Sequence, residues 1–147
     1  MLATVTTTIS LLTVLSCVES YLLQPDVVSQ DCMQCLCNIS SWCTFKGCTN
    51  VTGFIACGYY QISQDYYVDC GSPGSDWKTC ADDLNCATYC VQSYMRRYRN
   101  QPHCHYNCLS YAMLHKGGPS ACGHVDSSNY LAHFWGLMAK AGCHENS

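Results

Sequence analysis

Residues 57–71 read CGYYQISQDYYVDCG, and the Gly71-Ser72-Pro73-Gly74 turn signal follows directly. Cys57 and Cys70 bracket a tyrosine-dense, partly alternating segment. Tyr59, Tyr60, Tyr66 and Tyr67 are many aromatics for one core strand. A tyrosine ring with a hydroxyl at its edge suits a sugar, which presents an apolar face and a rim of hydroxyls. The plainer alternative is that these rings fill a small core, since tyrosine is commonly intermediate in burial.

Working outward, the whole chain has 147 residues and fifteen cysteines. That length makes one domain that burial alone would stabilise only modestly. Cysteine at about a tenth of the composition is the mark of a disulfide scaffold. At the N-terminus, Ile9-Ser10-Leu11-Leu12-Thr13-Val14-Leu15 is a short apolar run followed by small residues and Val18-Glu19-Ser20. Residues 1–20 therefore read as a secretory signal peptide, although no Lys or Arg precedes the apolar run, and residues 21–147 as the domain. Such a run is too short to span a bilayer, so no membrane anchor is expected. Cleavage would remove Cys17 and leave fourteen cysteines, enough for seven bridges in an oxidising, extracellular setting.

Cys32, Cys35 and Cys37 are close enough to suggest zinc, but the secreted context and the lack of a His-x₃₋₅-His partner argue for disulfides. No cofactor or metal is implied. The formal charge is −3, and −2 once Glu19 leaves with the leader. Arg96, Arg97 and Arg99 form the one basic cluster, read as a solvated helix face, so nucleic acid is not an expected partner.

Asp31 can cap a short helix through Met33, Cys35 and Leu36. Cys37 to Cys57 reads as a loop whose β-branched residues could form a small hairpin. Ser75, Asp76 and the Asp82-Asp83 pair read as helix starts. Helical spacing of Leu84, Ala87, Cys90, Val91, Tyr94, Met95 and Tyr98 predicts a helix over 83–98. A second is expected from about Cys104 to His115, stopping at Gly117-Gly118-Pro119, and a third over 129–141. The expected fold class is α+β: one mostly helical domain with a short β-hairpin, stapled by bridges.

The pattern C-x₂-C-x-C-x₅-C-x₄-C-x₈-C-G-x-Y-Q-I, followed by Y-x-x-D-C-G-x-P-G, resembles the invertebrate-type lysozymes, also called the destabilase family. The resemblance continues through CADDLNCATYCVQSYMRRY (80–98) and YAMLHKGGPSAC (111–122), spanning Cys32 to Cys143. It implies a lysozyme-like fold with a sugar-binding cleft. The implied activity is β-1,4 cleavage between N-acetylmuramic acid and N-acetylglucosamine in peptidoglycan. It also implies the bridges Cys37–Cys43, Cys48–Cys57, Cys70–Cys90 and Cys80–Cys86. Cys32, Cys35, Cys104, Cys108, Cys122 and Cys143 would form three more, tying the N-terminal segment to the C-terminal half.

Retaining glycoside hydrolysis needs two carboxyl groups flanking the scissile bond, one of them a protonated acid. In the resembled family the acid is a Glu three residues after the third cysteine, where this chain has Ser40. The family nucleophile is an Asp three residues after the cysteine opening the next loop, where this chain has Val51. No Asp or Glu occurs between Asp31 and Asp65, so both halves of the mechanism are missing. Rescue by Asp65 or Asp69 would give a weakly active lysozyme, although displacing a catalytic group commonly costs orders of magnitude. The isopeptidase Ser and Lys of some family members correspond to Phe54 and Ser63, so that activity is not expected either.

Tyr59, Tyr60, Gln61, Tyr67 and His115 are the candidates for a surviving glycan-binding cleft, with peptidoglycan or a related amino-sugar polymer as the expected partner. His115 matches a family position at which it reads as structural or cleft-lining, with Lys116 replacing the family's Asn. Asn38-Ile39-Ser40 and Asn50-Val51-Thr52 are N-glycosylation patterns, raising the expectation that a glycan partly covers the old cleft. A third reading is a secreted structural or signalling scaffold without sugar binding.

Overall fold

A computed structural model describes residues 25–145 and 147; the expected leader, residues 1–20, lies outside them. Helix α1 spans Gln30–Ser41, and the hairpin strands β1 and β2 span Cys48–Val51 and Phe54–Cys57. Strand β3 is Ile62–Ser63, followed by α2 (Gln64–Asp69), α3 (Trp77–Asp82) and α4 (Leu84–Tyr98). Helix α5 is Cys108–Gly117, a 3₁₀ turn covers Ala121–His124, and α6 is Ser128–Lys140. This is the expected α+β class.

Helix α1 starts two residues earlier than the sequence suggested. Ser29, not Asp31, is its cap and accepts the Cys32 N–H. Asp31 lies inside the first turn, where a carboxylate favours the positive end of the helix dipole. The helix also runs through Ser41, into residues expected to be loop, because Cys32, Cys35 and Leu36 supply one buried face. Trp42 ends it in the left-handed conformation, at φ 59°. Asp76 and Asp83 cap α3 and α4 as expected, accepting the Thr79 and Cys86 N–H groups. Helix α5 begins later than expected, because Asn107 caps it through Ser110 N–H and Cys104 remains in the preceding loop.

The hairpin forms where the β-branched residues suggested it. Its register runs from Cys48 opposite Cys57 to Val51 opposite Phe54. Thr52 and Gly53 make a two-residue turn at φ 46° and 97°, the positive φ pair that matches strand twist. The tyrosine-rich stretch departs from the expected partly alternating strand. Gly58 and Gln61 adopt positive φ and break it into a turn, the two-residue β3 and then α2. Gly58 is obligatory: a Cβ there would stand 1.7 Å from the Ala81 carbonyl oxygen.

Helix α5 is buried all round from Cys108 to His115 and packs against α1, α4 and α6. Gln92 of α4 holds the N-terminal segment by accepting from Val27 and Val28 N–H and donating to Val28 O. Among the described residues fourteen cysteines pair in seven bridges, including all four local ones that the resemblance implied. Cys32–Cys108 and Cys35–Cys143 tie the N-terminal helix to the C-terminal half, but Cys104–Cys122 lies wholly within that half. No described helix is long and apolar enough to cross a membrane.

Candidate functional site

A cleft of about 350 Å³ opens between the hairpin and the C-terminal end of α5. Val51, Thr52, Phe54 and Ala56 line it from the hairpin, and Gln61 and Ser63 from the chain beyond. Helix α2 contributes Asp65, Tyr66 and Asp69, α4 contributes Tyr94, and the α5 end contributes His115, Lys116, Gly118 and Pro119. A second groove, about 470 Å³, runs beside it and is lined by residues 38–42, Thr44 and Lys46.

Ser40 and His115 form the wall between the two cavities. The Ser40 hydroxyl donates to Leu36 O at 2.8 Å and lies 3.0 Å from His115 Nε2. His115 Nε2 is also 3.0 Å from the Tyr60 carbonyl, which can only accept, so Nε2 carries the proton. Nδ1 then accepts the Tyr66 hydroxyl at 3.1 Å. Every polar atom in this line is satisfied by the neutral imidazole. Burial, with the Lys116 charge, pushes the His115 pKa down to about 3. An Nε2 that already donates cannot take a proton from Ser40, so the pair is not a nucleophile with its base.

The residues expected to bind glycan divide. Gln61 and His115 reach the cleft. Gln61, however, braces the hairpin: its amide nitrogen donates to Gly47 O and Gly58 O, and its oxygen accepts from Thr49. Tyr60 is buried with its hydroxyl on Thr88, Tyr67 is buried with its hydroxyl on Pro73 O, and neither lines the cleft. Tyr59 is half-buried, packs edge-on against Phe45 and also lies outside it. The core-filling alternative thus describes these three rings. Tyr66 and Tyr94, stacked at 3.7 Å between centroids, are the cleft tyrosines; the sequence reading named Tyr66 among the sugar-suited rings but left it out of the candidate set, and read Tyr94 only as a helix residue. Burial raises the pKa of both.

Among possible acids, Val51 lies in the cleft and is inert, while Ser40 is 9% exposed and locked by its bonds. Asp65 and Asp69 both line the cleft, one helical turn apart on α2. Asp69 takes a hydrogen bond from the Tyr98 hydroxyl. Of the isopeptidase positions, Ser63 uses its oxygen to cap α2 through Tyr66 N–H, and Phe54 is exposed. Lys116, adjacent to His115, was noted only as a replacement; its ammonium is held below the ordinary lysine range by the surrounding cleft wall and by Lys46.

The two glycosylation patterns differ in geometry. Asn38 sits in α1 with its amide nitrogen on Ala141 O, and its Ser40 hydroxyl is engaged. Asn50 is exposed on β1 and accepts the Gly53 N–H. The pleat puts Asn50 on the opposite face of the strand from the cleft-lining Val51. A glycan on Asn50 would therefore shield the outer face of the hairpin rather than fill the cleft.

Comparison with known proteins gives concordant results. The Destabilase family model matches residues 29–139. The "Invertebrate-type lysozyme" of Ruditapes philippinarum is 44% identical over 121 residues, covering 81% of this chain and 86% of that protein. The "Lysozyme" of Magallana gigas is 42% identical, with coverage of 82% and 85%. The crystal structure of Tapes japonica lysozyme superposes with a TM-score of 0.73 at 42% identity, covering 85% of this chain and 100% of the other. Meretrix lusoria lysozyme in complex with Aeromonas hydrophila PliI gives 0.74 at 40% identity, covering 85% and 100%.

Proposed function

The chain belongs to the Destabilase family, and on that footing we propose that it is a secreted lysozyme-fold protein without muramidase chemistry, acting by binding glycan in a defence-related role. One observation carries this reading: neither position that holds a carboxylate in the family pattern has one here. Ser40 is tied to Leu36 and His115. A serine hydroxyl cannot protonate a glycosidic oxygen near neutral pH, and Val51 can neither attack nor stabilise an oxocarbenium ion. The expected ligand is peptidoglycan or a related amino-sugar polymer, and seven bridges suit an extracellular protein.

A second reading, weak lysozyme activity through Asp65 and Asp69, draws on both carboxylates lining the same cleft. Against it, the two project from one short helix, whereas a glycosidase pair flanks the scissile bond. A scaffold that binds no sugar is the remaining alternative.

Co-sedimentation with insoluble peptidoglycan and chitin, run beside a turnover assay, separates the three. Binding without release of reducing ends is the expected result. Turnover would favour the Asp pair, and absence from both pellets would favour the scaffold.

A further inference from the structure

The groove beside the cleft holds two features that packing does not account for. Trp42 ends α1 at φ 59°, a region where bulky side chains are strained and glycine is the usual occupant. The residue is 66% exposed, and among the described residues it has no aromatic partner. Neither backbone preference nor burial explains a tryptophan there, and strained residues of this kind cluster at binding sites. The second feature is charge. Lys46 lines the same groove and Lys116 lines the main cleft next to His115, which meets Ser40 of the groove. Burial first and the Lys46 charge second hold the Lys116 ammonium below the ordinary lysine range.

Among the described residues neither ammonium has a carboxylate partner, and none of the groove's lining residues is acidic. His115 between them is neutral. The carboxylates that line the main cleft, Asp65 and Asp69, belong to α2, and Asp69 already takes the Tyr98 hydroxyl. Where the family pattern places an acid, an Asp and an Asn, this chain has Ser40, Val51 and Lys116. The substitutions remove two negative charges and add a positive one.

Resting on the glycan-binding reading above, we propose that the Trp42 groove is a subsite for acidic glycan, with the indole stacking on a pyranose ring and Lys46 and Lys116 holding its carboxylate or sulfate. An indole face matches the apolar face of a sugar. Two exposed cations without carboxylate partners favour an anionic ring over a neutral one.

The test titrates the purified, fully bridged protein with three hexasaccharides at low ionic strength, read by calorimetry: heparin-derived (sulfated), oligogalacturonate (carboxylated) and chitohexaose (neutral). At least one acidic oligosaccharide is expected to bind about tenfold or more tighter than chitohexaose, and the better of the two identifies the anionic group. Lys46→Ala/Lys116→Ala should abolish that advantage, while Lys78→Ala/Lys140→Ala, with equal charge loss elsewhere, should keep it. Trp42→Gly, which suits the backbone and should fold, is expected to weaken acidic binding about tenfold. Equal affinity for chitohexaose, or full affinity in the Lys46/Lys116 or Trp42 variant, would overturn the subsite and leave glycan binding standing. Failure of all three ligands to bind would overturn the subsite, and absence from the peptidoglycan and chitin pellets as well would overturn glycan binding.

Discussion

Lowering the pH should expose the buried neutral histidine at the centre of the site. In the folded protein His115 is pushed down to about 3, chiefly by burial, against an ordinary value of 6.5. Unfolding frees it to titrate normally. Between those values the unfolded chain binds the extra proton, so stability falls as pH drops from about 6.5 towards 3. Each unit is worth about 1.4 kcal/mol, so His115 alone should remove about 3 kcal/mol between pH 7 and pH 4. The assay is denaturant unfolding with bridges intact, comparing wild type with His115→Gln. The variant will start lower, since it loses part of the Tyr60–Ser40–Tyr66 network. Its decline from pH 7 to pH 4 should nonetheless be shallower by about 3 kcal/mol, because carboxylate contributions cancel in the difference. Parallel decline of the two proteins, or a His115 NMR titration near 6.5, would refute the neutral, Nε2-protonated assignment.

Three further outcomes follow from individual residues. Trp42→Gly removes left-handed strain at a largely exposed side chain and should raise stability by roughly 0.5–1 kcal/mol, read as a higher denaturant midpoint. Gly58→Ala places a methyl group against the Ala81 carbonyl at positive φ, and should cost about 3 kcal/mol or more in the same assay. Peptide mapping after secretory expression should find glycan on exposed Asn50 and none on Asn38; occupancy of Asn38 would contradict the geometry of α1.

Much of this architecture was legible because it is local. Helix α4 follows from apolar spacing and its cap from Asp83, and the four short-range bridges follow the cysteine pattern of the family resemblance. The tyrosine stretch was harder. Its apparent alternation is interrupted by positive φ at Gly58 and Gln61, which only the contact with Ala81 and the hairpin brace require. With that interruption all three of Tyr60, Tyr66 and Tyr67 are buried, and of them Tyr66 lines the cleft. Tyr94 lies on the buried stripe of α4, and no sequence feature marks it as lining the cleft. The late start of α5 reflects Asn107 capping competing with the apparent periodicity from Cys104. The absence of carboxylates was visible at once; the fact that Ser40 locks His115 needed the long-range packing of α1 against α5.

Reducing-end release from solubilised peptidoglycan by the wild-type protein, with Ser40→Glu/Val51→Asp beside it, tests the central claim most directly. Wild type should be silent and the double variant should gain activity, because the cleft persists and the carboxylates of those two family positions are what it lacks. Turnover by wild type at a rate comparable with an active relative would contradict the account and shift attention to Asp65 and Asp69.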